Sequence, residues 1–296
     1  MAVTVSFISE KGGVGKTTAC YHIAVALSSL HGKRVLVLDA DYQRGGITGR
    51  FFPDLIDSFG SDTIPGETLY HKYQQLYSAS KQTAHVDIKT ANISGVKIDV
   101  IPADPRLSTV SVDKLPSSNN IKANNEALLK HLQTIKFSLE HLKDLYDFIL
   151  IDSHPEVSDV LRSVIYASNY AVSPVKLDRQ SSIGVATIIG EINNVNSDVE
   201  MLQRMLTSFI YDETVFQGSI GMMAREWGGE LKQSEQMEYN RLKRTGGVFR
   251  TYITEGDGLR QAAANRCPVF EIGIANAGKQ SKQFKELTKE FIAVCR

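Results

Sequence analysis

No run of apolar residues in this chain approaches the length of a membrane span. Cysteine is scarce: Cys20, Cys267 and Cys295 lie far apart and form no C-x-x-C pair. That spacing argues against zinc or iron–sulfur ligation and fits free thiols in a reducing compartment. Net charge is also missing, because 33 Lys and Arg balance 33 Asp and Glu, so no global field draws the chain to nucleic acid or membrane. There are no repeats and no low-complexity tails. A strand-like run begins within three residues of the start, without the charged segment and apolar stretch of a secretory leader. What is present is a 42% hydrophobic content over 296 residues, enough for a large core and for one domain spanning 1–296.

The most informative stretch is Lys11, Gly12, Gly13, Val14, Gly15, Lys16, Thr17 and Thr18, directly after the largely apolar run at residues 3–8. Strand, glycine-rich loop and helix start follow in the order a phosphate-binding loop needs. Glycines let backbone N–H groups turn toward phosphate oxygens, and the helix start adds unpaired N–H groups and a positive dipole end. Lys16 is expected to reach the β- and γ-phosphates of ATP, Thr17 to hold Mg²⁺ and Thr18 to bond the α-phosphate. The pattern G-x-x-x-x-G-K-[ST] is not fully met, since Glu10 stands at its first glycine. K-G-G-x-G-K-T-T is instead the deviant Walker A form, with a second lysine, Lys11.

Apolar runs and helical periodicity alternate along the chain. Strands are expected at 3–8, 34–38, 96–101, 148–151, 170–172, 205–210 and 248–253. Helices are expected at 17–30, 126–146, 183–195 and 281–295. Strands separated by helices imply an α/β fold, a doubly wound, mostly parallel sheet flanked by helices, of the P-loop NTPase type. Ligands of such sheets sit at the carboxyl ends of the strands, where the loop and the acids fall. Residues 51–94 are rich in Pro, Gly, Ser, Thr, Gln and Tyr and read as short helices and loops over one sheet edge. That segment is a candidate partner-facing surface by elimination. Residues 279–296 read as a closing helix.

Two acidic positions complete the phosphate chemistry. Asp152 ends the apolar run 148–151 as a Walker B carboxylate would, placed to hold Mg²⁺. Asp39 and Asp41, separated by Ala40, would share one face of a continuing strand. One can approach Mg²⁺, and the other can orient the attacking water.

K-G-G-V-G-K-T-T (11–18), V-L-V-L-D-A-D-Y-Q (35–43) and F-I-L-I-D-S-H-P (148–155) together resemble the ParA/MinD family of deviant Walker ATPases, most of all its ParA branch. I-D-V-I-P-A-D (98–104), F-I-Y-D (209–212) and V-F-R-T-Y-I-T-E-G-D-G-L-R-Q-A (248–262) extend the resemblance over nearly the whole chain. It implies a Mg²⁺-dependent ATPase that forms an ATP-sandwich homodimer. Lys11 would reach phosphates held by the partner, as an arginine finger does. Asp41 would activate water, with Asp39 as its Walker A′ partner and Asp152 as the Walker B acid. Adenine contacts would come from 210–212 and 253–257, including Asp212 and Thr254. Tyr42 and His154 stand where the family usually has proline, a change expected to act on switch-loop stiffness and hydrolysis rate.

The resemblance further implies nonspecific DNA binding by the ATP dimer. It also implies DNA segregation, of a plasmid or a chromosome, with a ParB-like centromere-binding or adaptor protein that stimulates hydrolysis. Localisation would be cytoplasmic, on the nucleoid. Residues 220–296 hold 13 Lys and Arg against 9 Asp and Glu, and the candidate phosphate contacts there are Arg241, Lys243, Arg244, Arg260, Arg266, Lys279 and Lys282. Each is equally readable as a solvated helix charge. With the loop so near the start, no helix-turn-helix is expected ahead of it and operator-specific repression is not expected. Two alternatives remain open. One is a MinD-like ATPase positioned on a membrane or a protein assembly, using the apolar stripe of the last helix as anchor. The other is a metabolic P-loop kinase or ligase with a second substrate pocket. In the segregation reading that stripe packs in the core and a membrane is not a partner.

Overall fold

A computed structural model describes residues 1–43, 46–55, 66–78, 85–206, 209–274 and 277–296. A seven-stranded sheet runs through the chain in the order β3-β4-β2-β5-β1-β6-β7. Its strands are β1 (Val3–Phe7), β2 (Val35–Ala40), β3 (Lys89–Ile93), β4 (Val96–Ile101), β5 (Phe148–Ser153), β6 (Tyr170–Lys176) and β7 (Val215–Met222). All neighbouring strands pair in parallel except β3, which runs antiparallel to β4. The central strands β2 and β5 are buried at every position. Helices cover both of their faces, which is why the sequence reads there as unbroken apolar runs.

On one face lie α1 (Lys16–His31) and α9 (Gly278–Val294). Ile23 and Leu27 meet Phe284, Leu287 and Phe291 there, and the Phe7 and Phe291 rings stand 6.0 Å apart. Each fully buried side chain of this size contributes about 1.5–3 kcal/mol. Phe284, Leu287 and Phe291 of the last helix's apolar stripe are therefore core. On the other face, α4 (Ile121–Glu140) and α5 (Asp159–Ala167) pack Leu132, Ile135 and Leu139 with Val160, Leu161, Val164 and Ile165. The edge beyond β6 is covered by α6 (Arg179–Leu206) and α7 (Gln233–Thr245). Shorter elements are α2 (Ile47–Phe51), α3 (Leu69–Ser78), α8 (Asp257–Ala264) and a small hairpin of β8 (Glu226–Trp227) and β9 (Glu230–Leu231).

Several sequence expectations are corrected. The 51–94 segment is not merely helices and loops, because it contributes edge strand β3, joined to β4 by a two-residue turn in which Ser94 and Gly95 both have positive φ (60° and 76°). This is the turn type that matches strand twist. Residues 56–65 and 79–84 of that segment lie outside the described residues. Of the expected strand at 205–210, Met205 and Leu206 instead end α6, Phe209 and Ile210 belong to no strand, and 207–208 lie outside the described residues. The strand that follows is β7, which the sequence reading missed. Residues 248–254 form no strand of their own and touch β7 and its end through two isolated bridges, Ser219 to Val248 and Ala224 to Thr254. Strand β6 continues through Pro174, at a position where β1 no longer pairs with it.

Among the described residues no helix is long and apolar enough to cross a membrane.

Candidate active site

Because β1, β2, β5, β6 and β7 are parallel, their carboxyl ends share one rim. Phe7 and Asp39 both sit level with Asp152, and Lys176 with Met222. The phosphate-loop sequence leaves β1 at this rim and enters α1. Gly13 and Gly15 have φ of 71° and 95°, a region that side chains disfavour. A Cβ on Gly15 would also stand 3.0 Å from the Met222 side chain. The helix start carries no side-chain cap, so the N–H groups of its first turn stay available to an anion. The loop, with Thr18, Asp41 and Gln43, lines a cleft of about 310 Å³.

Inside this cleft the charges converge. The Lys16 ammonium, 7% exposed, lies 3.1 Å from Asp152 Oδ1 and 3.5 Å from Asp41 Oδ2, and it donates to the Ser153 carbonyl. Burial alone would lower the pKa of Lys16, but the carboxylates of Asp152 and Asp41 outweigh it and hold it above its ordinary value. Three acids crowd one ammonium. Burial, reinforced by the charge on Asp152, pushes Asp39 up to about 7, and burial raises Asp152 despite Lys16. An excess of negative charge packed this tightly calls for further positive charge. The Thr17 hydroxyl donates to Asp152 Oδ2 at 2.8 Å, placing a hydroxyl and a carboxylate side by side. Mg²⁺ takes one or two such oxygens and completes its shell with water and phosphate. Thr17 and Asp152 therefore fit that ion.

Asp39, expected to approach Mg²⁺, has both carboxylate oxygens engaged by protein donors. Its Oδ1 accepts the Asp41 N–H at 3.0 Å, and its Oδ2 accepts the Thr48 N–H and hydroxyl at 2.9 and 2.6 Å. Fully buried, it pins the loop that leaves β2 to the start of α2, and so fixes where Asp41 can stand. Asp41 accepts from the Gln43 N–H at 3.0 Å and from His154 Nδ1 at 2.9 Å.

A family model described as an AAA domain matches residues 2–205. The chain belongs to the ParA-like branch of the ParA/MinD family of ATPases. It is 25% identical to a ParA family protein of Chlamydia pneumoniae over 295 residues, 99% of this chain and 98% of the relative. It is also 25% identical to the sporulation initiation inhibitor protein Soj of Bacillus subtilis, over 99% of each chain. In fold it matches a Cyanothece McdA–ATP complex with a TM-score of 0.70 at 18% identity, covering 100% of this chain and 98% of that one.

In this ParA-like ATPase the two expected adenine segments part company. Thr254 stands beside Ala224, at the carboxyl end of β7 and so on the cleft's rim, with its hydroxyl bonded to Gln283. Asp212 does not belong there. It precedes Val215, at the amino end of β7, on the opposite rim, where Tyr211 stacks on Tyr166 and bonds Asn196. The residues that reach the cleft from β7 are Met222, packed on the loop, and Met223, which lines the cleft. Sequence reading missed them because β7 was missed.

Arg50 was missed as well. Its guanidinium donates to the Thr18 hydroxyl at 3.1 Å and lies 5.6 Å from the centre of the Tyr21 ring. Among the described residues no carboxylate pairs with it. Burial lowers its pKa, as expected for a cation short of countercharge next to the phosphate loop. No spacing rule flags a single arginine 32 residues beyond its partner.

Of the expected DNA contacts, Lys243, Arg244, Arg260, Arg266 and Lys282 are exposed. Arg241 pairs with Glu238 and Lys279 with Glu226, so those two charges are already matched.

Proposed function

We propose that this ParA-type ATPase closes as a dimer around two molecules of Mg²⁺-ATP, binds DNA nonspecifically in that state, and moves a DNA cargo with a ParB-like partner that stimulates hydrolysis. The reading is supported above all by the contrast between the two loop lysines. Lys16 is buried among Asp152, Asp41 and the Ser153 carbonyl. Lys11 lines the same cleft, half-buried, and among the described residues its ammonium has no ion-pair or hydrogen-bond partner. A second, unengaged cation there suits phosphates that belong to another subunit. Within each subunit, Lys16 and the glycine-loop N–H groups would hold the phosphates. Thr17 and Asp152 would hold Mg²⁺, which neutralises charge on the transferring phosphoryl group. Asp41 would orient the attacking water. The excess acid in the cleft fits a role for that ion.

The DNA face would use Lys243 and Arg244 on α7 together with Arg260, Arg266 and Lys282, with strong salt dependence. Co-sedimentation with DNA under ATP, ADP and no nucleotide, at low and high salt, tests it. Binding with ATP at low salt is expected. Binding that ignores nucleotide and salt, or no binding at all, would refute the partition reading while leaving the ATPase intact.

A further inference from the structure

The two positions that break the family pattern, Tyr42 and His154, are one feature in the folded chain. Their rings stack with centroids 3.8 Å apart and planes within 22°. His154 is 3% exposed and follows Asp152 and Ser153 at the end of β5. Its Nδ1 lies 2.9 Å from Asp41 Oδ1. Asp41 is a carboxylate beside Lys16, so Nδ1 carries the hydrogen and donates it.

The bonds divide the two oxygens of Asp41 between different tasks. Oδ1 is held by two donors from separate elements, the His154 ring and the Gln43 N–H. Oδ2 is turned to the Lys16 ammonium at 3.5 Å, and thus to the phosphate side of the cleft. A carboxylate on a free χ2 would exchange its oxygens. This one is locked by a ring that Tyr42, its own neighbour in sequence, stacks against.

We propose that His154, clamped by Tyr42, is the positioning residue for Asp41, fixing Oδ2 as the atom that faces the attacking water. The proposal rests on the ATPase reading in which Asp41 orients that water. His154 touches neither phosphate nor water in this role. Its contribution is geometric, and misplacement of a reacting group by a fraction of an ångström costs rate rather than binding.

The test is steady-state ATPase kinetics on the full chain. His154→Phe keeps a ring for Tyr42 to stack on but removes the donor. Its kcat is expected to fall about tenfold with KM for ATP unchanged. His154→Asn puts an amide N–H near the position of Nδ1 and should restore kcat to within about threefold of wild type. Tyr42→Ala should lie between them. His154→Phe made on top of Asp41→Ala should cost nothing further, because its effect passes through Asp41. Wild-type kcat in His154→Phe, equal impairment in His154→Asn, or a full multiplicative loss in the double variant would each overturn the positioning role. Asp41→Ala turning over at the wild-type rate would remove the ATPase role of Asp41, and the proposal with it. A normal loss in Asp41→Ala beside a silent His154→Phe would overturn the positioning role alone.

Discussion

His22, on the phosphate-loop helix, should make this protein acid-sensitive by a predictable amount. Its ring is buried, stacks 4.3 Å from Phe284 and bonds the Thr18 carbonyl through Nδ1. Burial drives its pKa from 6.5 down to about 3. The unfolded chain binds a proton near the ordinary value, whereas the folded chain refuses one until about pH 3. Between those values the unfolded state holds more protons, so stability falls as pH falls. The contribution is fully present above pH 6.5 and is lost progressively on acidification. At pH 5 the unfolded state gains about 2 kcal/mol relative to pH 7.5 from this residue alone. The assay is urea unfolding at both pH values in wild type and His22→Phe, which keeps the stack. Circular dichroism suits it, since Trp227 is 84% exposed and a poor reporter of the core. Other titrating groups are common to both proteins and cancel in the difference. Wild type should lose about 2 kcal/mol more than His22→Phe between pH 7.5 and pH 5. Equal losses would refute the buried neutral imidazole.

Two further predictions follow from packing and charge. Phe291→Ala removes a fully buried ring between Phe7 and Phe148 and should cost about 3–5 kcal/mol in urea unfolding, where a loss under 1 kcal/mol would mean that α9 does not belong to the core. Arg50→Met should raise KM for ATP about tenfold with little change in kcat, as loss of a charge-assisted phosphate contact would, and an unchanged KM would return Arg50 to a purely structural role beside Thr18.

The strands that build the site were legible because both of their faces are covered. Residues 35–38 and 148–151 have to be apolar along their length, and the run of Val, Leu, Ile and Phe announces them. The same logic explains the misses. β7 carries Gln217, Gly218, Ser219 and Gly221, and its register shifts against β6 at Ala171 and Val172, so no apolar run marks it. β3 is an edge strand with one buried residue in five, and its Lys, Thr and Asn look like loop. Losing β7 moved the adenine expectation to Asp212, at the wrong end of the strand. Motif spacing singled out Lys16, Thr17, Asp41 and Asp152, which the fold brings together, because each is tied to a strand end. Motif spacing could not show that Asp39 is bonded to Thr48, or that Tyr42 meets His154 across 112 positions, because those are contacts between elements.

In the proposed dimer Lys11 acts on the other subunit's nucleotide, and mixing two inactive variants separates that role from action within its own subunit. Lys11→Ala keeps its own Asp41, and Asp41→Ala keeps its own Lys11. A mixed dimer then holds one complete composite site, on the Lys11→Ala subunit. Random pairing of equal amounts should restore about a quarter of wild-type ATPase activity. A mixture no more active than the sum of its parts would contradict a lysine acting in trans.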